Sequence, residues 1–317
     1  MKKILLALLI LTVPFSVYFA SAPVGLLGNS LSQNLSQKKA EQSVTVILTG
    51  DIMLGRYIAT LRERNKGDFP FTHLPEIIEN AKSLLGADTI NLIAGNLEGP
   101  IAAKQIAYGD LIFRFDPEVA PLLKKVGFTT FNLANNHTYN QGKAGYSETQ
   151  NTLTAAGIDS FGQPDTAAAE WSSKIYEING MKIAFLGLDD VDYKINPDEA
   201  AAKIQELDKQ VDFLIISIHW GIEYKKTASA RQVDLAHKFI DAGADFIWGT
   251  HPHVVQNSEL YNDKTIYYSL GNFVFDQYWS AETQKGLVLA LKITGGKVEV
   301  KEIPVALINQ GEPKASN

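Results

Sequence analysis

The residues with the most chemistry in this chain sit in short polar stretches, each following an apolar run. Gly249-Thr250-His251-Pro252-His253 closes the run from Ala244 to Trp248 and holds two of the six histidines, one residue apart. Imidazoles at i and i+2 on an extended or turning backbone can share one ion or serve one each of a pair, and imidazole is the commonest protein ligand for zinc-like metals. The bland alternative is a turn carrying two exposed histidines. Against it stand Asp51, Glu98, Asn136 with His137, and His219, polar groups that recur at the ends of strand-like runs. Carboxylates, an amide and imidazoles together make a mixed oxygen and nitrogen donor set. It suits one or two divalent ions, manganese, zinc or iron, and is too rich in nitrogen for calcium. Two such ions ~3.5–4 Å apart clamp a substrate oxygen and lower the pKa of a bound water, which is hydrolytic chemistry.

The elements that must position these residues follow from periodicity. Val44 to Leu48 is a β-branched run leading to Asp51, and Asp88 to Ala94 leads to Glu98. Phe128 to Leu133, Val211 to Ser217 and Ala244 to Trp248 are further strands, each ending just before candidate ligands. Between them, 58–65, 73–85, 144–156, 198–209 and 228–242 read as helices, with a shorter one to Val126 opened by Asp116-Pro117, Asp116 being its expected N-cap. Asn179-Gly180 marks a hairpin within 174–188. The C-terminal part reads as strands over 254–261, 265–270, 287–293 and 297–304. Strand–helix alternation with a β-rich end predicts an α/β fold, central β-sheets flanked by helices, in one domain. Ligands in such folds collect beyond the carboxyl ends of strands, which is where these polar groups fall.

Composition bounds the rest. The chain has 317 residues, 45% of them hydrophobic, enough for a substantial core. It has no cysteine, which excludes disulfides and thiolate sites. A net charge of −6 without a dense basic run argues against nucleic acid as a partner. Lys2-Lys3, the apolar run from Ile4 to Leu11 and Ala20-Ser21-Ala22 form an export signal over 1–22, either cleaved or retained as a membrane anchor. Residues 23–43 read as a flexible linker, 44–305 as the domain and 306–317 as a disordered tail. The expected location is extracytoplasmic, secreted or anchored.

Six blocks in order resemble the capsule-synthesis CapA family. They are Thr49-Gly50-Asp51-Ile52-Met53-Leu54-Gly55-Arg56, Asn96-Leu97-Glu98-Gly99-Pro100, Leu133-Ala134-Asn135-Asn136-His137, His219-Trp220-Gly221, Gly249-Thr250-His251-Pro252-His253-Val254-Val255-Gln256 and Tyr268-Ser269-Leu270-Gly271-Asn272-Phe273. The resemblance implies the calcineurin-like metallophosphoesterase sandwich. It implies Asp51, Glu98 and His253 around a first metal, Asn136, His219 and His251 around a second, and His137 as general acid for the leaving group. The fold's usual first motif, Asp-x-His, stands here as Asp51-Ile52-Met53, and a thioether is a poor ligand for a hard ion. Asn140 stands where many family members carry aspartate.

Arg114 falls in a family-like block and is expected to bind an anionic substrate, with a surface salt bridge as the alternative. Asn272 is expected to line the pocket, a turn asparagine being the default. His73 and His237 read as surface and structural histidines, and Tyr278-Trp279 as a binding rim or packed aromatics. Through the resemblance, the expected function is capsule biosynthesis by an exported metal-dependent hydrolase or transferase. Its substrate is poly-γ-glutamate or a related anionic polymer or precursor. The alternative is a non-catalytic, polymer-binding subunit working with membrane capsule-synthesis proteins; an ordinary phosphoesterase is a third reading.

Overall fold

Two sheets lie face to face with helices on their outer sides. The computed structural model describes residues 43–165, 167 and 171–316; the export signal and nearly all of the linker read from the sequence lie outside them. The first sheet is assembled from β1 (Ser43–Ile52), β2 (Leu92–Leu97), β3 (Thr130–Asn132), β4 (Asp159–Phe161), β11 (Asn272–Val274), β12 (Lys285–Thr294), β13 (Lys297–Ile308) and β14 (Glu312–Ala315), in the order β14-β13-β12-β1-β2-β3-β4 with β11 beside β1. The second runs β5-β6-β7-β8-β10-β9, from β5 (Ser173–Ile178), β6 (Met181–Asp189), β7 (Phe213–His219), β8 (Phe246–Thr250), β9 (Ser258–Tyr261) and β10 (Lys264–Tyr267).

Side-chain alternation explains the layering. In β1, Val44, Val46 and Leu48 face the core between the sheets, while Ile47 joins the core beneath the helices. In β7, Phe213 and Ile215 face the other sheet, and Leu214, Ile216 and Ile218 face outward. A period of two with apolar residues on both faces is what a strand covered on both sides requires. The first sheet's outer face is covered by α1 (Arg56–Asn65), α2 (Leu74–Leu85), α3 (Val119–Lys125) and α4 (Gly142–Ala155), the second's by α5 (Pro197–Asp208) and α6 (Ala230–Asp241). Helix α6 begins with a full capping box, Ser229 and Gln232 satisfying each other's backbone amides.

One arrangement matters for function. Strands β1, β2, β3 and β4 run parallel, as do β6, β7 and β8, so their carboxyl ends share one side within each sheet. The β1 register shifts between Leu48 and Asp51 against β2 and between Asp51 and Ile52 against β11. Such irregularities re-aim side chains at sheet ends. Gly50 allows β11 to approach at this point, since a Cβ there would lie 1.9 Å from the Gly271 carbonyl oxygen.

The sequence reading needs three corrections. Residues 306–316 are not a disordered tail: β13 runs on to Ile308, and β14 pairs back on it with Ile308 opposite Glu312. The Asn309-Gln310-Gly311 link and the polar β14 resemble a tail, but the strand is recruited by the open edge of β13 and Leu307 packs into the core. Strand β9 begins only at Ser258, because the chain from His251 to His253 turns through positive φ. Asp116 does not cap α3, which starts at Val119; its carboxylate pairs with Arg114 at 2.7 Å.

Asp189, at the end of β6, is buried with one oxygen accepting from Val191 N–H at 2.9 Å and the other without a partner. Burial, with the carboxylates of Asp192 and Asp190 nearby, pushes its pKa from 3.8 up to about 7. The folded state therefore holds a proton that the unfolded chain releases above about pH 4, so stability falls as pH rises from there to about 7. Asp189→Asn should be more stable than the parent at pH 8 by on the order of 4 kcal/mol, with the gap closing toward pH 4. Urea unfolding of both proteins at the two pH values measures it; a pH-independent gap would refute the assignment.

Candidate metal centre

Each candidate ligand sits where an apolar strand gives out. Asp51 is the penultimate residue of β1, Glu98 directly follows β2, and Asn135, Asn136 and His137 follow β3. His219 ends β7, while His251 and His253 follow β8. The structure brings all of these together from both sheets. His251 and His253 adopt φ of +97° and +57°, a conformation that ordinary residues occupy at a cost and that clusters at functional sites. Gly249 lets β8 pass close to its neighbours, since a Cβ there would lie 2.1 Å from the Tyr268 carbonyl oxygen.

Three donors converge first. The Nε2 of His219 lies 3.0 Å from Asn136 Oδ1 and 3.2 Å from His251 Nδ1. Thr250 Oγ1 stands 2.9 Å and Asn96 Nδ2 3.3 Å from the other nitrogen of His219, which hold the ring so that Nε2 points to this meeting point. Burial, with the neighbouring imidazoles, holds His219 well below the ordinary histidine range and His251 down to about 3, so both rings are neutral, the ligating form.

Next to this trio lies a second group, Asp51, Glu98 and His253, all buried, with one donor atom from each within 4.8 Å of the others. His253 Nδ1 is 3.0 Å from Asn272 Oδ1 and 3.2 Å from Asp51 Oδ2. Both are acceptors, so Nδ1 carries a proton and Nε2 faces Glu98 Oε1, 3.5 Å away. His137 repeats the pattern. Its Nδ1 lies 3.0 Å from Asn140 Oδ1, which also accepts from Phe113 N–H at 2.7 Å, and its Nε2 lies 3.8 Å from Glu98 Oε1. The His137 ring stacks on Phe113 at 4.0 Å, and burial pushes its pKa down to about 4, against the opposing effect of the Asn140 bond.

Glu98 decides how the centre is read. Its side chain is fully buried, yet neither carboxylate oxygen has a hydrogen-bond partner. Burial first, then the Asp51 carboxylate, which repels the charged form and is near enough to share a proton with the neutral one, and then Glu223 raise its pKa well above the usual carboxylate range. Two buried carboxylates crowded against one another beside imidazole nitrogens are costly unless a cation lies between them. These residues fit a divalent metal.

Several site residues were not singled out by the sequence reading. Asn96 donates to Asp51 Oδ1 at 2.8 Å, and Asn135 donates to Asn96 Oδ1 at 3.2 Å and to the Leu97 carbonyl at 2.9 Å. This is a buried amide chain that holds the Asp51 carboxylate in place. Arg56, at the start of α1 with φ +47°, pairs with Asp276 and lies over the Phe113 ring at 4.8 Å, close enough for its charge to lower the pKa of both Glu98 and His137. A polar residue embedded in an otherwise apolar strand, as Asn96 is in β2, was the available signal. Arg56 gave none beyond its place in the first block.

Two expectations take a different form. Arg114 donates to the Ala102 carbonyl at 2.6 Å and pairs with Asp116, which is the surface ion pair weighed as its alternative. Asn272 is fully buried, and its amide spends its polar atoms on His253, on Gln277 Oε1 at 3.0 Å and on the Thr283 carbonyl at 2.9 Å. It positions a histidine instead of facing a substrate. Trp279 is 63% exposed and meets Tyr224 edge-on, whereas Tyr278 packs edge-on against Tyr57. His237 is paired with Glu259 at 2.8 Å and stacked on Tyr261, a structural role. A surface cavity of about 870 Å³, lined in part by Lys66, His73 and Glu312, shares no residue with the donor cluster.

A family model described as bacterial capsule synthesis protein PGA_cap matches residues 45–277, a span that contains the whole donor cluster. The chain belongs to this family. Among its relatives, the capsule biosynthesis protein CapA of Bacillus anthracis is 30% identical over 298 residues, 87% of this chain and 70% of that protein. The PGA biosynthesis protein CapA of Bacillus subtilis (strain 168) is 32% identical over 285 residues, 84% of this chain and 73% of that one. The CapA resemblance read from the six blocks is thereby borne out. In three dimensions, a hypothetical protein from Thermus thermophilus superposes with a TM-score of 0.53 at 15% identity, covering 82% of this chain and 98% of that one. The two helix-flanked sheets, the family and this neighbour agree with a metallophosphoesterase-like fold.

Proposed function

We propose that this protein is an exported, metal-dependent hydrolase or transferase that acts on an anionic capsule polymer, poly-γ-glutamate or a relative, or on its precursor. The observation that carries the reading is Glu98, a fully buried carboxylate with both oxygens unpartnered beside Asp51. The polymer class is supported by the names of the relatives, both proteins of capsule or PGA biosynthesis. Export is supported by the basic and apolar character of residues 2–22.

Asp51, Glu98 and His253 would hold one ion and Asn136, His219 and His251 a second. Bound metal supplies Lewis acidity and a water of lowered pKa. The chain's own residues do the rest. Asn272 holds the His253 ring through Nδ1, Thr250 and Asn96 orient the His219 ring, and the Asn96–Asn135 chain holds Asp51. His137 exchanges a proton at Nε2, since Asn140 holds its Nδ1. The ring is neutral in the free site, and an anionic substrate group beside it raises its proton affinity as the leaving atom comes to need a proton.

The test is elemental analysis of the protein recovered from the envelope fraction without chelator, alongside His251→Ala. The expected result is bound manganese, zinc or iron in the parent and at least ~10-fold weaker retention in the variant, a loss at the steep end of what changes around a metal cause. Equal metal content and equal melting shifts on adding metal would reduce the pair to a turn. Recovery only as a cytoplasmic protein starting at Met1 would remove the exported role.

A further inference from the structure

We infer that Glu223 is a further metal ligand, a carboxylate that completes the His251 and His253 donor set from the solvent side. The inference rests on the metal-centre reading above and extends it to a residue outside the six ligands read from the sequence.

Three observations carry it. The first is convergence: Glu223, His251 and His253 each offer a donor atom, and these atoms lie within 4.8 Å of one another. The group shares His253 with Asp51 and Glu98, and Glu223 is its one exposed member. An exposed glutamate is usually just solvated, but here the carboxylate faces two buried imidazoles.

The second is a missing ligand. Asp51, Glu98 and His253 supply three donors, fewer than the four of a closed zinc site or the six of an octahedral ion. Met53, two residues after Asp51, does not fill the gap. Its sulfur is buried and accepts the Gly55 N–H at 3.1 Å, so the thioether is turned onto its own backbone. A hard carboxylate arriving from another loop suits such an ion better than sulfur would.

The third is the loop itself. After His219 the chain passes Gly221 at φ +91°, and Tyr224, at φ +63°, donates its N–H to the Pro252 carbonyl at 2.8 Å. That bond ties the residue after Glu223 to the turn between the two histidines. The Tyr224 ring leans over His253 at 6.3 Å, and the Glu223 carboxylate is near enough to raise the tyrosine's pKa. The backbone is held while the carboxylate stays exposed, which allows it to bind an ion that enters from solvent. The charge is consistent: Glu223 adds a third carboxylate near Asp51 and Glu98, and the nearby cation, Arg56, is already paired with Asp276.

The experiment is calorimetric titration of the full chain with Mn²⁺, comparing the parent, Glu223→Gln, Glu223→Ala and His251→Ala, with metal-free melting measured for each. The expected result is an affinity about 10-fold or more weaker in both Glu223 variants, with the alanine at least as weak because it offers no oxygen. Their metal-free melting should remain that of the parent, as for ordinary surface substitutions. Parent-like affinity in both variants, while His251→Ala binds weakly, overturns the assignment and leaves the metal centre standing. Absence of Mn²⁺ binding in the parent itself overturns the metal centre, and this inference with it.

Discussion

Glu98→Gln should make the metal-free protein more stable and at the same time remove most of the stabilisation that added metal gives the parent. In the metal-free state Glu98 is fully buried, its oxygens have no donor, and Asp51 repels it. Burying Glu98 without metal costs either an uncompensated charge or the uptake of a proton that the unfolded chain does not hold at neutral pH, and a neutral isostere of the same shape avoids both, a gain on the order of 1–4 kcal/mol. In the presence of metal the sign reverses. A ligand that binds only the folded state stabilises it by about 2.7 kcal/mol at a hundred times its dissociation constant, and an amide in place of the carboxylate forfeits most of this. Thermal or urea unfolding of the two proteins with chelator and with excess Mn²⁺ gives four numbers, and the expected pattern is a crossing. If the parent is the more stable protein in both conditions by the same margin, Glu98 is a structural carboxylate and no cation belongs beside it.

The second large effect separates an enzyme from a binding subunit. His137 lies 3.8 Å from Glu98, is held by Asn140 and stacks on Phe113, yet is not needed to complete either donor group. Removing a group that moves a proton in the transition state lowers rate by ~10²–10⁴-fold, while a residue outside the ligand set leaves metal binding in place. His137→Asn should therefore keep the parent's metal content and melting behaviour, lose turnover by that factor on whichever γ-glutamyl or phosphoester substrate the parent cleaves, and lose any capsule phenotype. Cells that carry the variant and still assemble normal polymer would show that the site is used to bind polymer and not to cut it.

Much of this protein is legible in the linear chain. The runs Val44 to Leu48, Asp88 to Ala94 and Ala244 to Trp248 announce buried strands because both faces must be apolar when a sheet is covered on both sides. Polar residues stand out at their ends for the same reason, since a carboxylate or imidazole there has left the core and has a task. That rule found Asp51, Glu98, His219, His251 and His253 without any knowledge of how the strands are ordered. It also found Asn136 and His137, which stand at the end of β3.

What the chain in isolation left undetermined depends on contacts between distant segments. Strand β14 forms because β13 offers an open edge, and nothing in its own polar sequence demands it. Asn272 read as a turn residue or pocket lining, and only the packing of β11 beside β1 makes it the partner that holds the His253 ring through Nδ1. Arg114 and Arg56 were exchanged in importance, because a guanidinium's role is decided by which carboxylate lies within reach, and the one near Arg56 is 220 residues away. Glu223 carries no pattern at all and becomes a candidate ligand through a loop tied to Pro252. The sequence by itself thus determined the main core strands, the family and the candidate donor residues, through local patterning of apolar and polar residues. The pairing of donors, the ring orientations and the outer carboxylate were decided by tertiary structure, because each depends on the distance between side chains far apart in the chain.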